Sequence, residues 1–340
     1  FIRFAIPKLF ITGGFIFLLL SALSPYISAF LKLEAVLPVI IMSVYFLISL
    51  PLLVNKAVLS GTLSFKYLTL NGFFEIGLKL LVSVILVLFN FKLIGALIGP
   101  VAGLVTSLLL SHIELSYILK SSEKTKVSYS WDRVIKKLIP FFLITFALNS
   151  MINLDIILVK HFFDAKIAGD YVALSTVGKI IFYIVGPVIS VMFPLISNRV
   201  EKGTSYILPL LGTLALTLAM NLMLVFSYFV FPKAIISSLF GRNYLGAVPY
   251  MGTFAFFMSV YTVNSVLSYF LISISYFKPV YFLFTVSLFQ GVFLFLFHNS
   301  VSQVIYINII ISLMYLATVF YFVLQHEKGI INRIFRKLNI

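Results

Sequence analysis

Seven of the residues that pair a charged or carboxamide side chain with a place in, or at the end of, a long apolar run are candidates for chemistry. They are Glu75, Lys79, Asn149, Asn153, Asp155, Lys160 and Lys179. A charge inside a bilayer is expensive, so it faces a neighbouring helix or a wet cavity. Glu75 and Lys79 follow Asn71 at four-residue steps and share one helix face. They are either a pair that neutralises itself against the next helix or a carboxylate and a cation lining a cavity. Lys179, in LSTVGKIIFYIVG, lies about 12 Å along its helix from the nearer end of its run, with no acidic residue within a turn. That is too deep to snorkel easily, so it needs a carboxylate from another helix or an anionic ligand. Asp155 and Lys160 are five residues apart, about 140° round a helix, and pair poorly along it. Asn149, Asn153 and Lys160 instead share a face and form a polar stripe able to line a cavity. Asp155 points elsewhere. It is either half of an interhelical pair, with Lys179 as candidate partner, or a carboxylate that couples transport to an ion.

Catalytic chemistry has no comparable footing. His112, His161, His298 and His326 stand near the ends of runs without metal-ligand spacing, and cysteine is absent. There is no phosphate loop, no HExxH and no nucleophile elbow. The expectation is a transporter, not an enzyme, with no metal and no organic cofactor.

The elements that must position these residues follow from composition. The chain is 61% hydrophobic and 10% charged, with a mean hydropathy of +1.13, far too apolar for a soluble core. Its apolar runs are continuous, which excludes the alternation of a porin-like barrel. They predict an all-α integral membrane protein with ten spans, at 9–30, 36–55, 68–89, 94–118, 139–159, 171–197, 206–231, 247–272, 280–297 and 303–325. Of the 25 Lys and Arg, 17 fall in segments on the side of residue 1 and six on the other side. The positive-inside rule then puts both termini in the cytoplasm. The net charge of +15 is accordingly read as topology and contact with anionic phospholipids, not nucleic acid. The predicted organisation is a four-helix segment (1–118), a cytoplasmic linker (119–138), a six-helix segment (139–325) and a basic tail (326–340). The tail alternates basic and apolar residues like a short amphipathic helix on a lipid surface.

An internal repeat adds to this layout. SFKY (64–67) recurs as YFKP (276–279), Ala35 and Ala247 share the same offset of 212 residues, and FLKLEAVLP (30–38) resembles LFGRNYLGAVP (239–249). Spans one to four therefore correspond to spans seven to ten with the same sidedness, a parallel repeat. The same offset puts the counterparts of spans five and six before residue 1. The expectation is a six-plus-six protein that lacks its first two helices here.

The stretch NLDIILVKHFFDAKIAGDYVALSTVGKIIFYIVGPVISVMFPLISN (153–198) resembles the polysaccharide transporter family of the MOP superfamily, the Wzx-type flippases. The matching features are an Asp early in a run ending LVKHFF, the AGDY of a short loop, a small-residue helix with Gly178 and Lys179, and FPLISN. LFGRNYLGAVPYM (239–251) is similar to the family's pattern before its tenth helix, and the layout matches helices three to twelve. The resemblance implies a two-lobed, MATE-like transporter with a central cavity in the bacterial inner membrane. Such a protein carries undecaprenyl-diphosphate-linked repeat units to the periplasmic leaflet by alternating access, for the O-antigen of lipopolysaccharide or another surface polysaccharide. It also implies a cationic cavity for the diphosphate, with Lys79 and Lys179 as candidates, one per lobe, and Lys160, Asn149 and Asn153 beside them. Coupling to a proton or sodium gradient is implied too, with Asp155 and Glu75 as candidates. The implied partners are the lipid-linked oligosaccharide, a polysaccharide polymerase and a chain-length regulator. A multidrug or cation exporter of the same superfamily would need an acid-lined cavity, which ten acidic residues disfavour. A membrane polysaccharide polymerase would need a long periplasmic loop, and the longest outer segment has about fifteen residues.

Overall fold

The computed structural model describes residues 2–62, 64–121 and 131–337, with side chains described for these except 2–4, 65, 117–121, 131–137 and 327–337. Every described element is helical. In chain order these are α1 (Ile2–Ala22), α2 (Ser24–Phe30), α3 (Leu37–Gly61), α4 (Phe65–Leu88), α5 (Lys92–Ser121), α6 (Trp131–Phe162) and α7 (Ala165–Glu201). Then come α8 (Ile207–Val230), α9 (Pro232–Leu239), a 3-10 segment (Arg242–Tyr250), α10 (Met251–Ser273), α11 (Lys278–Leu296) and α12 (Val301–Lys337). Among the described residues ten helical segments are long and apolar enough to cross a membrane, and each predicted span falls on one of them. The protein is an all-α integral membrane protein.

Three local differences from the predicted spans bear on the charged residues. The first span closes at Ala22, and a short second helix follows. The third helix runs to Gly61, so Lys56, expected in a loop, is helical. The connection after α8 is folded, as α9 and the 3-10 segment. The central linker residues 122–130 lie outside the described residues. So do residues 338–340 of the basic tail, whose backbone is helical through Lys337.

The chain divides into two compact units, residues 1–128 and 129–340. In the first, α3 packs on α1 and α5, and α4 packs on α5. The α4–α5 contact is close because Gly95, Gly99 and Gly103 recur every fourth residue along α5. A methyl group at Gly99 would collide with the Lys79 carbonyl oxygen, and one at Gly103 with that of Glu75. Membrane helices lack a hydrophobic force between them and associate through such small-residue stripes. Gly99→Leu should therefore destabilise this unit by about 1–3 kcal/mol, read as a lower Tm in detergent. An unchanged Tm would mean that α4 and α5 separate freely.

In the second unit α10 is the central helix, packed on α7, α8 and α12, while α11 packs on α6 and α12. The predicted repeat is present in this packing. The pairs α1–α3, α3–α5 and α4–α5 recur as α8–α10, α10–α12 and α11–α12, with the short helices α2 and α9 in matching places. A buried hydrogen bond recurs with them. Asn55 Nδ2 donates to Ser111 Oγ at 2.9 Å between α3 and α5, and Asn264 Nδ2 donates to Ser312 Oγ at 3.0 Å between α10 and α12. These bonds are not in the same register. What repeats is the use of an Asn–Ser link to pin a helix pair, to which α10 and α12 add a Ser268–Tyr315 hydroxyl contact at 3.0 Å.

Candidate functional site

The site begins at the turn between α6 and α7, which has only two residues, Phe163 and Asp164. Asp164 is extended at the N-cap of α7, and its carboxylate accepts from Ile167 N at 2.8 Å, satisfying one of the free donors at the helix start. A turn this short makes the two helices antiparallel neighbours. Asp155 lies eight residues before its first residue and Tyr171 seven after its last, so both sit about 11 Å from it, at one depth.

Asp155 is wholly buried. Its Oδ2 accepts from the Tyr171 hydroxyl at 2.6 Å and from Asn308 Nδ2 at 3.1 Å, and its Oδ1 accepts from Ile156 N at 2.8 Å. Asn308 Oδ1 in turn accepts from Gln290 Nε2 at 2.8 Å, and that amide also donates to Met151 O at 2.9 Å. The network joins α6, α7, α11 and α12, and each of its side chains is buried. Three neutral donors offset part of the cost of an ionised carboxylate in a dry interior, but none carries the balancing charge.

The anticipated partnership of Asp155 with Lys179 is not formed. Lys179 is buried, and its Nζ donates to Asn153 Oδ1 at 3.0 Å. It lies within electrostatic reach of Asp155 but outside ion-pair distance. The cause is rotation about α6: residues 153 and 155 are about 200° apart round the helix, so one face meets Lys179 and the other meets Tyr171. Two opposite charges are thus buried in one unit, and neither is in an ion pair among the described residues.

The remaining candidates are more dispersed. Asn149 and Asn153 are exposed, and each Nδ2 donates one turn back, to Thr145 O and Asn149 O, both at 2.8 Å. Lys160 is half-buried, two turns further along the same face of α6. Lys79 is exposed on α4. Glu75 pairs not with Lys79 but with Lys56 across the α3–α4 seam, at 2.6 Å. That pairing follows from the extra length of α3, which carries Lys56 alongside.

Tyr171, Gln290 and Asn308 were not singled out by their spacing, because they are uncharged and come from three different helices. The one available mark was compositional. Gln290 is a carboxamide in the middle of the very apolar KPVYFLFTVSLFQGVFLFL.

Ten apolar spans among the described residues define a polytopic α-helical membrane protein, and its second unit holds a buried carboxylate network. The model of the polysaccharide biosynthesis protein family matches residues 7–249, and the chain belongs to that family. The matched stretch holds Asp155, Tyr171 and Lys179 and ends before Gln290 and Asn308. No curated protein and no solved structure matches the chain.

Proposed function

We propose that the protein is a Wzx-type flippase of the MOP superfamily. It moves undecaprenyl-diphosphate-linked oligosaccharide from the cytoplasmic to the periplasmic leaflet of a bacterial inner membrane by alternating access. The product serves the O-antigen or another surface polysaccharide. The observation that carries this reading is the separation of Asp155 and Lys179. Opposite charges buried in one apolar unit would gain by pairing, and holding them apart makes sense when each takes a ligand from outside. For Lys179, beside the exposed carboxamides of Asn149 and Asn153, that ligand is the anionic diphosphate. Lys79, exposed on α4, and Lys160 are secondary candidates for the same headgroup. For Asp155 it is the coupling cation, supplied by a proton or sodium gradient. Glu75 is the weaker coupling candidate, because Lys56 already balances its charge.

The excess of Lys and Arg on the side of residue 1 supports an orientation with both termini in the cytoplasm and the α6–α7 turn at the periplasmic face. A polymerase and a chain-length regulator would then act on the delivered units. The exporter alternative fits less well, since the exposed polar groups beside Lys179 are carboxamides and not carboxylates. Expression in a strain deleted for its flippase tests the reading. Surface polysaccharide should return and the lipid-linked intermediate should stop accumulating. Drug tolerance rising without polysaccharide would identify an exporter instead.

A further inference from the structure

A carboxylate that exchanges a cation needs a route to water, and Asp155 itself is wholly buried. Beside it, at the end of the unit where α6 turns into α7 and α11 into α12, lies a cavity of about 370 Å³. Its wall includes Phe163, Asp170, Tyr171, Tyr250, Asn299 and Ser300. Tyr171 belongs to both places. It lines the cavity, and its hydroxyl donates to Asp155 Oδ2 at 2.6 Å. Its side chain is almost entirely buried, and its ring is held edge-on by Phe254 with centroids 5.9 Å apart. From this cavity an alkali ion would have to pass the Tyr171 ring. A proton needs no such movement, because a hydroxyl can accept on one side and donate on the other.

We propose that the coupling ion is a proton and that Tyr171 relays it between this cavity and Asp155. As the Tyr171 O–H bond breaks, its proton forms an O–H bond on Asp155 Oδ2. A hydronium ion in the cavity restores the tyrosine O–H and becomes water. One carboxylate is neutralised, and the tyrosine ends as it began. The groups facing Asp155 are Tyr171 and, within electrostatic reach, Lys179 from α7, Asn308 from α12, and Gln290 through Asn308 from α11. At the cavity wall Asp170 is paired with Lys166 at 3.0 Å, an arrangement that leaves an acid near the mouth.

This relay rests on Asp155 being the coupling carboxylate, and the experiment separates the two. The protein is reconstituted in liposomes holding a pH-sensitive dye, with lipid-linked oligosaccharide extracted from flippase-deficient cells as substrate. D155N should stop both substrate and proton movement; continued coupling there overturns the underlying reading. Y171F should still fold, with a Tm lowered by the loss of one buried hydrogen bond, slow proton movement by about tenfold or more, and lose the slowing that the wild type shows in D2O. Wild-type rates and an unchanged isotope effect in Y171F would overturn the relay alone. So would transport by the wild type driven by a sodium gradient at uniform pH, using the oxygens of Asp155 and Gln290. The chain has no cysteine, so Ser300→Cys gives a second measurement that spares the network. A membrane-impermeant thiol reagent there should slow proton movement by a similar factor, and a labelled protein that moves protons normally would also overturn the proposal.

Discussion

Asp155→Asn is expected to reduce translocation to background while the protein still inserts and folds. The substitution keeps the shape of the side chain, and its oxygen can still accept from the Tyr171 hydroxyl. The new amide nitrogen, however, takes the place of Oδ1, where Ile156 N already donates. One buried donor is then left without an acceptor, at a cost of about 1–3 kcal/mol, which lowers the Tm without abolishing assembly. The functional loss has a different cause: an amide cannot take up and release a proton in the working pH range. Asp155→Leu separates the two effects. It strands all three buried donors in apolar surroundings and should fail to accumulate in the membrane. Complementation of a flippase-deficient strain reads the first, and elution and thermal melting in detergent read the second. Full complementation by the Asn variant would remove Asp155 from ion coupling.

Lys179→Met should show the opposite combination, loss of transport with a gain in stability. The ammonium is buried with a single carboxamide oxygen as its described partner, and no carboxylate compensates its desolvation. Methionine keeps most of the unbranched stem that packs against α6 and removes the buried charge. The Tm should rise, by an amount equivalent to about 1 kcal/mol or more. Translocation should fall by about a hundredfold, the scale expected when the cation that receives a diphosphate is lost from a site of low dielectric. A residue whose removal stabilises the fold but stops the work is held there for a ligand and not for packing. If transport survives and the Tm falls, Lys179 is a structural partner of Asn153 and the headgroup binds elsewhere.

Much of this protein is encoded in short stretches of chain. The hydropathy of each span depends on about twenty consecutive residues, so ten spans could be placed with ends a few residues off. The α9 and 3-10 segments were missed because residues 232–246 are polar enough to read as a loop, yet the 3-10 segment is held down by Lys166, which donates to Asn243 O. The parallel repeat is a comparison of the chain with itself, and it reappears in which helix packs on which. Asp155 and Lys179 were also legible, because a charge in an apolar run is conspicuous whatever surrounds it. The glycine stripe of α5 has a four-residue period that marks a packing face, but only the structure shows that α4 is what lies against it.

The sequence by itself determined the class of molecule, its spans and the few residues costly enough to need a reason. Only the tertiary structure decided their partners. Lys179 meets Asn153 and not Asp155; Glu75 meets Lys56 and not Lys79; Asp155 meets Tyr171 sixteen residues away and Asn308 153 residues away. The physical reason is the freedom of an apolar helix to rotate about its own axis. Hydropathy scarcely changes with that rotation, so composition leaves it open. Close packing and a handful of buried hydrogen bonds settle it, and those contacts join residues that no window along the chain can see together.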